Sequence, residues 1–79
     1  MTVTVKLFGT LGQSVPGYDP QRGILYTLPE GATVEDLLAQ AGLLDGEARL
    51  ILLRGVSPKM DDPLQDKDEI LVFNPLAGG

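Results

Sequence analysis

The residues of this chain that could take part in chemistry lie at its carboxyl end, where the sequence closes on Ala77, Gly78 and Gly79. Because glycine has no Cβ, two glycines let the backbone pass through a channel that is too narrow for side chains. A carboxylate becomes a good electrophile only after esterification, for example as an acyl-adenylate. We therefore interpret the Gly79 carboxylate as a group that an ATP-using enzyme could activate. The alternative is an unstructured terminus without a chemical role.

Side chains offer little other chemistry. Cysteine and histidine are absent, which removes disulfides, thiolate nucleophiles, imidazole bases and the usual zinc ligands. The acidic segment over residues 61–69 fits no EF-hand register, because the required glycine and glutamate are missing from the sixth and twelfth positions. We interpret this segment as a solvated turn rim, with Asp66, Lys67 and Asp68 as the turn. We expect no metal site, no bound cofactor and no catalytic side chain.

The charge and hydropathy of the chain restrict its partners. Eleven acidic and six basic residues give a formal net charge of −5, whereas nucleic-acid binding needs clustered lysine and arginine. This charge suits an electropositive protein surface, although it also serves solubility. No apolar run reaches membrane-spanning length, and residues 1–8 alternate polar and apolar side chains, unlike a signal peptide. We expect a cytoplasmic protein that binds neither nucleic acid nor membrane.

Two strands and a helix are predicted in the first half of the chain. Residues 2–8 alternate polar residues with Val3, Val5 and Leu7, which is typical of a strand with one covered face. A long loop over residues 9–23 precedes a second strand over residues 24–28. Thr33 then occupies an N-cap position with Asp36 as its capping-box acid. The helix is predicted over residues 33–41.

Two more strands are predicted over residues 50–53 and 69–73, with a short return strand at Val56 and Ser57 between them. Strands on both sides of a single helix predict an α+β domain, a mixed sheet of four or five strands with the helix on one face. The first and last strands can lie parallel in the middle of that sheet. Residues 1–73 would form this domain, and residues 74–79 a flexible tail.

The last strand is apolar at four consecutive positions, so it should be covered on both faces, but one helix covers only one. If Ile70 and Val72 face the helix, Leu71 and Phe73 point away, next to the tail. We predict that Leu71 and Phe73 bind a partner. They would act with either Leu50 and Leu52 or Ile51 and Leu53. The alternative is that the loop over residues 9–23 covers this face.

Several stretches together carry a family resemblance. Residues 62–70 read Asp-Pro-Leu-Gln-Asp-Lys-Asp-Glu-Ile, and residues 73–79 read Phe-Asn-Pro-Leu-Ala-Gly-Gly. With the opening strand and the helix entry over residues 28–34, they resemble the ubiquitin-like β-grasp sulfur carriers of the MoaD/ThiS family, most closely the molybdopterin synthase small subunit. The chain departs from the usual pattern at Lys67, which replaces a turn glycine, at Arg54 and at Asn74.

The resemblance implies a cycle that partner enzymes carry out. A ubiquitin-activator-like adenylating enzyme would use ATP to adenylate Gly79. The residues that would thread into its active site are Pro75, Leu76, Ala77 and Gly78. A sulfur donor would then convert Gly79 to a thiocarboxylate, and a larger catalytic subunit would pass the sulfur to a pterin during molybdenum cofactor biosynthesis. The alternatives are a thiamine-pathway or other sulfur carrier, a ubiquitin-like protein modifier, and a non-covalent binding module.

Overall fold

The computed structural model describes residues 1–9, 15–43 and 50–73. Within them, one helix lies with a four-stranded mixed sheet whose strand order is β2-β1-β4-β3. The strands are β1 (Thr2–Phe8), β2 (Ile24–Thr27), β3 (Leu50–Leu53) and β4 (Glu69–Phe73), and the helix is α1 (Val34–Ala41). β1 is antiparallel to β2 and parallel to β4, and β4 is antiparallel to β3. The predicted α+β class and the parallel pairing of first and last strands are confirmed.

The core lies between the sheet and the helix. Alternation along β1 directs Val3, Val5 and Leu7 into it, and all three are buried. From the other elements it receives Leu28, Ala32, Val34, Leu37, Leu38, Leu53, Leu64, Ile70 and Val72. Burying this apolar surface is the main favourable contribution to folding. Val34, Leu37 and Leu38 are the residues of α1 that belong to this core.

Local hydrogen bonds define both ends of α1. The Thr33 hydroxyl accepts the Asp36 N–H at 3.3 Å, and the Asp36 carboxylate accepts the Thr33 N–H at 2.9 Å. This capping box satisfies donors that the first helical turn leaves free. Gly42 ends the helix with a φ of 75°, a left-handed conformation that glycine adopts without strain.

The predicted short return strand at Val56 and Ser57 is wrong. Val56 forms only an isolated bridge with Leu53, through backbone hydrogen bonds of 2.8 and 3.1 Å. Pro58 has no backbone N–H, so the ladder cannot continue through it. The described part of the sheet thus has four strands.

Residues 15–23 lie along the edge of β1. The Tyr18 hydroxyl accepts the Leu7 N–H at 2.7 Å and donates to the Leu7 carbonyl at 3.2 Å. The Tyr18 hydroxyl thus provides hydrogen bonds to the β1 backbone beyond Val5, where the pairing with β2 ends. Tyr18 and Val15 pack against the core cluster. These two side chains therefore add to the core and not to an outer cover of the sheet.

Candidate functional site

The face of the sheet opposite the helix carries an apolar surface. The β3–β4 register places Leu50 opposite Phe73 and Leu52 opposite Leu71. Directly opposite residues in a sheet point to the same face, so the register selects Leu50 and Leu52 from the two pairs that the sequence allowed. Phe8 of β1 lies beside Phe73 in the parallel pairing. We call these five residues the outer patch: Phe8, Leu50, Leu52, Leu71 and Phe73.

Exposure separates the two faces of β4. Ile70 and Val72 are completely buried against the core, whereas Leu71 and Phe73 are only half-buried. This confirms the predicted orientation of β4, in which Leu71 and Phe73 point away from the helix. At its margins the outer patch is open to solvent, since Phe8 is 38% and Leu50 is 51% exposed. A contiguous apolar surface of this kind is a common feature of protein interaction sites.

Phe8 is a member of the outer patch that the sequence reasoning missed. Its ring stacks on that of Phe73, with centroids 4.6 Å apart and planes inclined by 12°. The alternation of β1 places Phe8 on the same face as Lys6 and Thr4, and the predicted parallel pairing of the first and last strands could have brought it to Phe73. The stack lies at the end of β4, from which the chain continues into residues 74–79.

The predicted reactive tail lies outside the described residues. This applies to Pro75, Leu76, Ala77, Gly78 and Gly79 and to the boundary of the flexible tail. Their roles stay predictions. Phe73, the last residue of β4, is the described residue from which the tail departs.

Charged side chains border the outer patch at the opposite end of β4. Lys6 Nζ lies 3.3 Å from Glu69 Oε2. Asp68 accepts hydrogen bonds from Arg54 Nε at 3.1 Å, from Arg54 Nη2 at 2.7 Å and from the Gln65 N–H at 2.7 Å. A bidentate pair of this type fixes both side chains.

Asp68 is the exception to the interpretation of the acidic segment as a solvated rim, since Asp61, Asp62, Asp66 and Glu69 are exposed or partly exposed. Asp68 is only 8% exposed, because Arg54 and the Gln65 backbone take the place of water around its carboxylate. The predicted turn is present, since the Asp68 N–H donates to the Gln65 carbonyl at 3.1 Å around Asp66 and Lys67. In the described ranges no group of three or more acidic side chains is arranged to hold a metal ion.

A shallow groove of about 310 Å³ joins the outer patch to these charged residues. Leu52 and Leu71 form its apolar side, while Arg54, Lys67, Asp68 and Glu69 form its polar side. Apolar and charged side chains side by side suit the binding of another molecule. Within the described part of the chain, no helix has the length and hydrophobicity needed to cross a membrane.

Comparison with known proteins agrees with this geometry. A family model described as the ThiS family matches residues 5–79. The chain belongs to the ThiS family. A search of curated proteins found no match.

Solved structures place this ThiS-family chain among β-grasp folds. SAMP1 from Haloferax volcanii aligns over 100% of both chains with a TM-score of 0.79 and 25% sequence identity. A second structure, of the small archaeal modifier protein 1 of H. volcanii, covers 95% of this chain and 98% of its own, with a TM-score of 0.75 and 24% identity. The expected ubiquitin-like β-grasp fold is thereby confirmed.

Proposed function

We propose that this ThiS-family protein is a sulfur carrier whose Gly79 carboxylate a partner enzyme adenylates and then converts to a thiocarboxylate. The observation that carries the proposal is the family match, which runs through Gly78 and Gly79. The chain has neither cysteine nor histidine, so a carboxyl group delivered to a partner is the chemistry that best suits its composition. We place this reaction in the cytoplasm.

The proposed reaction proceeds in two steps, adenylation and sulfur transfer. A Gly79 carboxylate oxygen attacks the α-phosphorus of ATP, the bond from that phosphorus to the bridging oxygen breaks, and pyrophosphate leaves. Hydrosulfide then attacks the activated carbonyl carbon and AMP leaves, with the proton released to solvent. The product carries one sulfur in place of one carboxylate oxygen. No oxidant or reductant is needed when hydrosulfide is the donor.

The outer patch supports a division of labour between docking and reaction. In the proposal the adenylating enzyme covers Leu71 and Phe73 together with Phe8, Leu50 and Leu52, while Pro75, Leu76, Ala77 and Gly78 thread toward its ATP. The six residues after Phe73 can span at most about 20 Å. This length allows Gly79 to enter a buried pocket while the patch stays docked.

Molybdenum cofactor biosynthesis is the pathway that we favour, with this chain as the small subunit of a molybdopterin synthase. The support is the sequence pattern over residues 62–70 and 73–79. A larger catalytic subunit would then take up the tail and pass its sulfur to a pterin. A thiamine-pathway carrier uses the same carboxyl chemistry with a different acceptor, so reconstitution with each acceptor enzyme separates the two.

The mass of the intact protein tests the sulfur-carrier proposal. The chain is incubated with a candidate adenylating enzyme, ATP and sulfide, and the mass should rise by the difference between sulfur and oxygen. A variant without Gly79 is the matched control and should show no change. If the full chain gains no sulfur with any candidate adenylating enzyme, the proposal is wrong.

A ubiquitin-like modifier is a second candidate. Two structural matches favour it. SAMP1 matches over the full length at 25% identity, and the second matching structure, at 24% identity, is named a small archaeal modifier protein. In this function the activated Gly79 would form an isopeptide bond with a lysine of another protein. Peptide mass spectrometry should then find lysines that carry the carboxyl-terminal residues of this chain. If deletion of Gly79 alters neither adducts nor sulfur transfer, the chain is a non-covalent binding module.

A further inference from the structure

Two basic residues hold an unusual backbone conformation beside the outer patch. Arg54 and Lys67 have φ values of 51° and 69°, and they are the non-glycine residues with positive φ in the described ranges. The left-handed conformation is unfavourable for any residue with a Cβ, but not for glycine. Both residues line the groove whose apolar side is formed by Leu52 and Leu71. Two cations with this unfavoured backbone conformation therefore line the groove.

The cations differ in how far their charge is compensated. Asp68 takes two hydrogen bonds from Arg54, and the neighbouring Glu69 pairs with Lys6. Lys67 is exposed and has no ion-pair partner in the part of the chain that the structure describes. Asp66 precedes it, but the Asp66 carboxylate accepts the Thr2 N–H. Lys67 is thus a cation at the groove without an ion-pair partner in the described ranges, on a chain whose formal net charge is −5.

The groove and the aromatic stack lie at opposite ends of one surface. Glu69, at the groove, is the first residue of β4, and Phe73, in the stack, is the last. Their Cα atoms are four residue steps apart along the strand, a distance of about 13 Å. A protein that covers the outer patch down to Leu71 and Leu52 therefore also covers the groove, since both leucines line it. The tail leaves from the other end.

We propose that the groove receives an aspartate or glutamate side chain of the adenylating partner. Lys67 supplies the main charge, and Arg54 contributes guanidinium N–H groups that Asp68 does not use. The inference rests on the sulfur-carrier function proposed above and extends its docking surface. Apolar contacts alone leave the orientation of the partner loosely defined, whereas a charge pair at one end sets the register. The contact strengthens docking of the outer patch and takes no part in the adenylation step.

Substitutions at Lys67 test the proposal with the adenylating enzyme encoded in the same genome. The KM for the carrier is measured by ATP–pyrophosphate exchange at low and high salt. Lys67→Gly should raise this KM about threefold, and Lys67→Glu should raise it about tenfold at low salt, with kcat unchanged in both. Added salt should reduce the difference between wild type and Lys67→Gly. Lys59→Glu is the matched control, an exposed lysine outside the groove with the same charge change, and should behave as wild type.

Thermal unfolding tests whether Lys67 has only a structural role. Glycine relieves the positive φ at position 67, so Lys67→Gly should melt no lower than wild type while its KM rises. If Lys67→Glu fails to fold, Lys67→Gly alone decides the question. Equal KM values for wild type and Lys67→Gly, or equal effects of the two glutamate substitutions, would overturn the acidic contact and leave the sulfur-carrier function standing. If the wild-type chain supports no exchange at all, both proposals are overturned.

Discussion

Replacing Phe73 should weaken partner binding while leaving the protein folded. Loss of the stack with Phe8, whose centroids lie 4.6 Å apart, costs about 1 kcal/mol. Phe73 is only half-buried, so the further loss of apolar burial in Phe73→Ala should be well below the ~3–5 kcal/mol of a core phenylalanine. We expect a total destabilisation of about 2 kcal/mol.

That loss is small enough for the variant to stay folded. Domains are typically stable by ~0.05–0.15 kcal/mol per residue, which for 79 residues corresponds to ~4–12 kcal/mol. Binding has no comparable reserve, because an aromatic residue in a covered apolar patch commonly contributes at least ~2 kcal/mol, equivalent to about 30-fold in affinity. Phe73→Asp should weaken binding further, since a carboxylate must then be desolvated.

The assay combines urea unfolding followed by circular dichroism with calorimetric titration against the adenylating enzyme. Leu25→Asp is the matched control. Leu25 is 67% exposed on the same face of the sheet, but it lies in β2, the edge strand remote from β3. Equal loss of affinity in the Leu25 and Phe73 variants would refute the assignment of the outer patch. Loss of cooperative unfolding in Phe73→Ala would show instead that Phe73 is structural.

Three further substitutions test contacts that stabilise the fold around the site. Asp68→Asn should lower the free energy of unfolding in urea by about 1.5 kcal/mol, because it removes the charge from hydrogen bonds with a half-exposed Arg54; an Arg54→Met background should remove most of that loss. Tyr18→Phe should cost about 1 kcal/mol and speed hydrogen exchange at the Leu7 amide, which bonds the hydroxyl at 2.7 Å; unchanged exchange would contradict this role. Gly23→Ala should cost about 2 kcal/mol or more, since φ is 70° and a Cβ would lie 2.7 Å from a backbone oxygen; a melting temperature equal to wild type would disprove the clash.

Features that depend on neighbouring residues were predictable. The capping box of α1 joins Thr33 to Asp36 three positions later, so its residues and spacing are visible in the sequence. The alternation of β1 likewise indicated which side chains enter the core. Leu64, an apolar residue in the acidic segment over residues 61–69, is buried at 5% exposure. In each case the signal lies within a few residues along the chain.

Features that depend on residues distant in the chain were not predictable from the sequence. The choice in β3 between Leu50 with Leu52 and Ile51 with Leu53 needed the register with β4, and a shift by one residue would have reversed it. Burial of Asp68 required Arg54, fourteen positions earlier, to reach across the start of β4. Phe8 joined the outer patch only through its parallel pairing with Phe73.

The sequence by itself determined the α+β class, the helix with its caps, and the absence of cysteine and histidine, because composition and short-range periodicity do not depend on how elements assemble. It also pointed to Gly79 as the reactive group of the proposed function. Only the tertiary structure decided which side chains share the outer face and where charge collects beside them. Strand register and pairing bring together residues that are distant in the chain, and no local pattern specifies that register.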